Sequence, residues 1–132
     1  MLNPSELTHV NIIGSDDYER AVLGLVLGAR EYRVRSFSSL DDFGLPRPEA
    51  GGTCALLALS RREVETGAIL QQIRQLSLHM PVLLLVDQVC YPQLAAALES
   101  DHISLLIRPV QKDVLLRSIR QAIRCWLESE IT

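Results

Sequence analysis

The chain has 132 residues, about the size of one domain, so a second domain is not expected. Hydrophobic residues make up 48% and aromatic residues 5%, enough for a full core, and an aliphatic one. Lys+Arg 13 against Asp+Glu 16 leaves a formal charge of −3, which argues against nucleic-acid binding as the task of this segment, because that task needs a basic face.

In chain order the pattern is strand then helix, five times. Val10 to Ile13 is a short apolar run, followed by Gly14, Ser15 and the polar pair Asp16 and Asp17. Asp16 with Glu19 has capping-box spacing and predicts a helix to about Arg30. Its apolar positions Val22, Leu23, Val26 and Leu27 recur at helical spacing. Gly24 inside that helix is unfavourable by roughly 1 kcal/mol against alanine, and close packing on a sheet is the expected reason. Tyr32 to Phe37 alternates as a half-exposed strand does. Ser38 or Ser39 then caps a short helix through Phe43, and the proline- and glycine-rich stretch from Gly44 to Thr53 reads as a loop.

Cys54 to Leu59 is a third strand, with Ala58 near its carboxyl end. One helix is expected from about Glu63 to Leu78, with Ile69, Leu70, Ile73 and Leu76 inward. Pro81 opens a fourth strand, Val82 to Val86, apolar on both faces as a central parallel strand is. Pro92 suits the first turn of a fourth helix, Gln93 to Ser100. Ile103 to Ile107 is strand five, stopped by Pro109, and the last helix runs from about Lys112 to Glu128. Such alternation implies a parallel sheet covered on both sides and joined by right-handed crossovers. The expected fold is α/β, a flavodoxin-like (βα)5 three-layer sandwich of sheet order 2-1-3-4-5, forming one domain over 1–132 with an ordered core of about 8–128.

Cys54, Cys90 and Cys125 lie far apart with no CxxC pair, so a disulfide framework is not expected. Cys90 falls in a loop, and a reactive thiol there is a lesser expectation. No run approaches the roughly 18 apolar residues that span a bilayer, and the reading is a reduced, cytoplasmic domain without a membrane partner. His9, His79 and His102 are separated and none stands near a cysteine at zinc-ligand spacing. No phosphate loop, nucleophile elbow or dinucleotide fingerprint occurs.

The run Pro81-Val82-Leu83-Leu84-Leu85-Val86, then Pro92, an alanine-rich helix, Ile103 to Pro109 and an amphipathic helix resembles the second half of a bacterial response-regulator receiver domain. The flavour is that of receivers from nitrogen-regulation and nitrogen-fixation transcription factors, and the resemblance spans about residues 8 to 126. In that family two acidic residues after strand one hold Mg²⁺; here Gly14 and Ser15 stand there. The resemblance puts Ala58 where the phosphoacceptor aspartate would be, Val86 at the hydroxyl that senses the phosphoryl group, and Leu105 at the switch aromatic. Arg108 takes the place of the lysine, and it alone keeps its charge. The resemblance also implies a cis peptide between Arg108 and Pro109.

Phosphoryl transfer to a receiver needs a carboxylate nucleophile, a carboxylate-held hard metal and a cation on the phosphoryl oxygens. Alanine is no nucleophile, and Gly14 with Ser15 cannot replace two anionic ligands. The implied domain is therefore a degenerate receiver, no enzyme, without cofactor or metal, and independent of phosphorylation. Ser60, two residues past Ala58, reads as a loop hydroxyl rather than a substitute acceptor. A weak metal site from Asp16, Asp17 and Asp87 is a lesser expectation. So is an anion or cyclic-dinucleotide site from Arg61, Arg62 and Arg108, the alternative being that Arg108 fills the vacated acidic pocket.

The resemblance implies dimerisation through the fourth helix, fifth strand and last helix, where Ala95, Glu99, Leu105, Ile107, Leu116, Arg117 and Arg120 are the candidate interface. Arg117, Arg120 and Arg124 share one face of the last helix at i, i+3 and i+7. The expected function is a regulatory and dimerisation module of a bacterial transcription regulator, N-terminal to an ATPase domain of the σ54 type or a LuxR-type helix-turn-helix. A regulatory protein partner fits that role, and DNA would be met only through such a separate domain.

Overall fold

Residues 8–29, 32–44 and 53–131 are described by a computed structural model. In chain order these form β1 (His9–Gly14), α1 (Asp17–Gly28), β2 (Arg33–Phe37), α2 (Leu40–Phe43), β3 (Thr53–Ala58), α3 (Arg61–Thr66), α4 (Ile69–Leu76), β4 (Val82–Val86), α5 (Tyr91–Ala97), β5 (Ile103–Ile107) and α6 (Lys112–Ile131). The strands make one parallel sheet in the order β2-β1-β3-β4-β5, as the alternation predicts. The loop expected between Gly44 and Thr53, and Arg30 at the expected end of the first helix, fall largely outside the described residues.

Side chains of successive strand residues leave by opposite faces, and the sequence supplies mainly aliphatic residues to both. On one face Val10, Ile12, Cys54, Leu56, Leu83 and Leu85 pack with Leu23 and Leu27 of α1 and with Leu115, Ile119 and Ile123 of α6. On the other Ile13, Ala55, Leu57, Leu84 and Val86 meet Val64 of α3, Ile73 and Leu76 of α4 and Leu94 of α5. β4 is buried at every position. Fully burying such a side chain contributes about 1.5–3 kcal/mol, and this two-sided burial makes β3 and β4 the spine of the domain.

Local sequence sets the helix ends. Asp16 accepts from the Glu19 amide at 3.0 Å and caps α1, and Ser39 accepts from Asp42 at 3.2 Å and caps α2. Ser60 is more than a loop hydroxyl: Ser60 and Glu63 form a reciprocal capping box that starts α3. The single helix expected from Glu63 to Leu78 is instead two, α3 and α4. Gly67 sits at φ 72°, the left-handed region that closes a helix, and the chain restarts at Ile69. The fourth helix begins earlier than expected, after a 3₁₀ turn at Gln88–Cys90, and ends at Ala97. That turn buries Cys90, so it is not an accessible loop thiol. The tight packing expected at Gly24 is absent: a methyl there would meet only Val34, at 3.8 Å. Of the apolar positions that recur at helical spacing in α1, Leu23 and Leu27 are buried while Val22 is 42% exposed.

Candidate functional site

In an open parallel sheet the crevice for chemistry lies at the carboxyl ends of the strands. Here that edge is built from Gly14, Ala58, Val86 and the residues after them. Gly14 pairs with Ala58, Ala58 with Leu85, and Val86 with Ile107. Ala58 is buried beside Gly14, whose backbone runs so close that a Cβ added there would stand 3.0 Å from the Ala58 carbonyl oxygen and 3.1 Å from its Cβ. Ser15 is exposed at the following turn. Leu105 is partly buried against the cluster under α3, α4 and α5.

Over this edge lies one cation with its partners. Arg108 follows β5 directly, joined to Pro109 by a cis peptide. Its Nε donates to Glu19 Oε2 at 2.7 Å and its Nη2 to Glu19 Oε1 at 2.9 Å, a two-pronged grip. Its Nη1 donates to the Leu59 carbonyl at 2.7 Å and to Asp87 Oδ1 at 3.3 Å. The hydrogen bond that Arg108 donates to Glu19 raises the Arg108 pKa above its ordinary value, against burial, which works to lower it; the charges of Glu19 and Asp87 add to the rise. One guanidinium thus joins α1, the end of β3 and the end of β4 to β5.

Of the residues gathered here, sequence reasoning singled out Gly14, Ala58, Val86, Asp87 and Arg108, including the possibility that Arg108 fills the pocket. It read Glu19 only as half of a capping box. The Asp16 half of that box forms, but the Glu19 carboxylate turns across the sheet edge to Arg108. No local spacing signals that contact, which spans 89 positions.

Other candidate groupings come apart. Arg61 and Arg62 are exposed in the first turn of α3, while Arg108 is committed to two carboxylates and a carbonyl, so a three-arginine anion site is not assembled. Asp16 caps α1, Asp17 pairs with Arg20, and Asp87 faces Arg108; among the described residues no group of His, Cys, Asp or Glu is placed to hold a metal. His102 packs edge-on against Trp126, with centroids 4.7 Å apart. Burial pushes the Cys54 thiol up to about 12, which keeps it an inert core residue.

The expected interface needs two corrections. Leu116 is 5% exposed and belongs to the core, so it cannot extend a surface patch. Arg120 stands against the Tyr32 hydroxyl, where its charge and hydrogen bond oppose the rise that burial gives the Tyr32 pKa, so it lies on the β2 side of α6. At the β5 edge itself Ile107 is 38% exposed, Glu99 is exposed and Ala95 is half-buried; Arg117 is exposed on α6. No helix among the described residues is long and apolar enough to cross a membrane.

No family model matches the chain, and no curated protein does. Solved structures do resemble it. A CheY-like response regulator from Mesorhizobium loti aligns with a TM-score of 0.66 at 21% identity, over 88% of this chain and 98% of that one. Full-length FixJ from B. japonicum aligns with a TM-score of 0.64 at 21% identity, and this chain covers 57% of its length. An adenylate cyclase from Rhodopirellula baltica aligns with a TM-score of 0.68 at 15% identity, over 92% of this chain and 93% of that one. The fold is therefore that of the CheY-like receivers, a flavodoxin-like sheet of order 2-1-3-4-5.

Proposed function

We propose that this chain is a degenerate, phosphorylation-independent receiver that serves as a regulatory and dimerisation module of a bacterial transcription regulator. The observation that carries the reading is the Arg108 cluster over Ala58. The nucleophile position holds a methyl group, and the cation that would meet phosphoryl oxygens is already bound by Glu19, Asp87 and the Leu59 carbonyl. A receiver fold with that edge filled has lost the means to be switched there, and regulation passes to its outer faces as a bias among conformations or assemblies.

Pairing through the β5 edge, with the facing sides of α5 and α6, is the favoured assembly. Ile107 offers exposed apolar surface on an edge strand, where such surface invites a partner. In this reading DNA is contacted by a separate output domain, and the domain is cytoplasmic and no enzyme. Incubation with acetyl phosphate and Mg²⁺ leaves the mass unchanged; a gain of one phosphoryl group would overturn the reading. Ile107→Glu weakens self-association in sedimentation, and an unchanged dimer would remove this edge from the assembly.

A further inference from the structure

The outer face formed by α1 and α6 carries a combination that a solvated surface does not require. Leu23 and Leu27 of α1 point into the core, yet its opposite side is also apolar: Tyr18 is 80% exposed, Leu25 76% and Val22 42%. At i, i+4 and i+7 these three make one stripe about two turns long. A surface helix ordinarily shows polar groups there. Arg20, which donates to Ser36 of β2, marks the flank of α1 that looks toward the sheet edge. Glu19, which reaches Arg108, marks the flank that looks toward α6.

α6 packs on the same face of the sheet, its Leu115, Ile119 and Ile123 in one cluster with Leu23 and Leu27. Cys125, directed at the Asp101 carbonyl, identifies its β5 flank, and Arg120, against Tyr32, identifies the flank toward α1. Arg117 and Arg124 share that side of the helix with Arg120, and all are exposed. Among the described residues none of the three is in an ion pair. A chain of net charge −3 thus places a basic row alongside an exposed apolar stripe.

We propose that the α1–α6 face docks an acidic amphipathic helix of another protein, its apolar side along Tyr18, Val22 and Leu25 and its carboxylates against Arg117, Arg120 and Arg124. A stripe at i, i+4 and i+7 is the anchor pattern that helix-in-face recognition uses. The charge distribution selects the occupant. A second copy would bring its own arginine row, and the acidic residues of its α1 are already engaged: Asp16 caps the helix, Asp17 is paired with Arg20, and Glu19 is turned inward to Arg108. A like-with-like pairing of this face would thus set arginine against arginine, and the charges favour a helix of another protein that supplies free carboxylates. This proposal is separate from pairing at the β5 edge, and the two fail independently.

The test uses two synthetic helical peptides with the same leucine stripe, one flanked by glutamates and one by lysines, titrated into the isotope-labelled chain. The glutamate peptide shifts amide resonances of α1 and α6, and added salt weakens it; the lysine peptide binds at least about tenfold more weakly. Leu25→Glu and Arg124→Glu, both at exposed positions, each weaken the glutamate peptide about tenfold with the circular dichroism spectrum unchanged, while Ile107→Glu leaves it unaffected. Absence of shifts at about 1 mM peptide, shifts confined to β5, or equal binding of the lysine peptide overturns the proposal. So does a dimer of the chain alone that Leu25→Glu dissociates, since that would assign the face to a second copy.

Discussion

At the carboxyl edge of the sheet Arg108 spends its guanidinium on Glu19, Asp87 and the Leu59 carbonyl, whereas on the outside of α6 Arg117 and Arg124 stand in water with no ion pair among the described residues. The residue type is the same; the surroundings differ. About three quarters of the side chains of Arg108 and Glu19 are out of solvent, each 23% exposed. Losing one partner there strands the others in a poorly hydrated place. A charge on α6 loses nothing to water and remains available to another molecule. The first arginine holds the fold in one arrangement, and the second set gives that arrangement something to present.

The comparison breaks most readily at Arg108. Arg108→Ala leaves two carboxylates without their cation and a carbonyl without its donor, and urea unfolding should show a loss of about 2–3 kcal/mol, below the full cost of a completely buried pair. If Arg108→Ala costs no more than a surface arginine, the edge is not held by this cluster. The two carboxylates then rank by geometry: Glu19→Gln, which gives up the two-pronged grip, costs about 1–2 kcal/mol, and Asp87→Asn, with one contact at 3.3 Å, less than about 1 kcal/mol. A reversed order in the same measurement would place the main anchor on β4 rather than α1. Arg124→Ala sharpens the other side of the comparison, with a change within about 0.5 kcal/mol.

A pH series adds a view from the core. Burial raises the Cys54 pKa in the folded state to about 12 from an ordinary 9.0. The folded chain therefore keeps this proton where the unfolded chain releases it. The contribution is full below about pH 9 and falls as pH rises towards 12. Cys54→Ala flattens that part of the alkaline stability profile; an identical slope in the variant would show that other groups set it.

The strand order, the period-two split of the core and the caps at Asp16 and Ser39 were legible because each rests on residues close in sequence or on simple alternation. That Gly14 and Ala58 bring no carboxylate to the sheet edge was legible too, since residue identity and strand position were both readable. Gly67 was readable as a helix stop, but the apolar spacing on either side masked it, and one long helix was expected in place of α3 and α4. Glu19 was misread for a different reason. Its capping role is local and its bond to Arg108 is made across the fold, so spacing favoured the weaker use. The interface residues were hardest: Leu116 and Arg120 sit on a helix whose rotation is set by the core, and only packing decides which flank each one faces.

The close approach at Gly14 also bears on what that position can carry. Any side chain placed at that position begins with a carbon 3.0 Å from the backbone oxygen of Ala58, a rigid neighbour that must give way before an acid can be seated. An aspartate placed at 58 would enter a site where no group among the described residues is placed to hold a metal and where Arg108 is already engaged. Under the proposed reading, each single step toward a phosphoacceptor is thus either strained or idle, and only a concerted set of changes would supply that chemistry. The scaffold would then work as a ratchet, held by the spacing of two small residues.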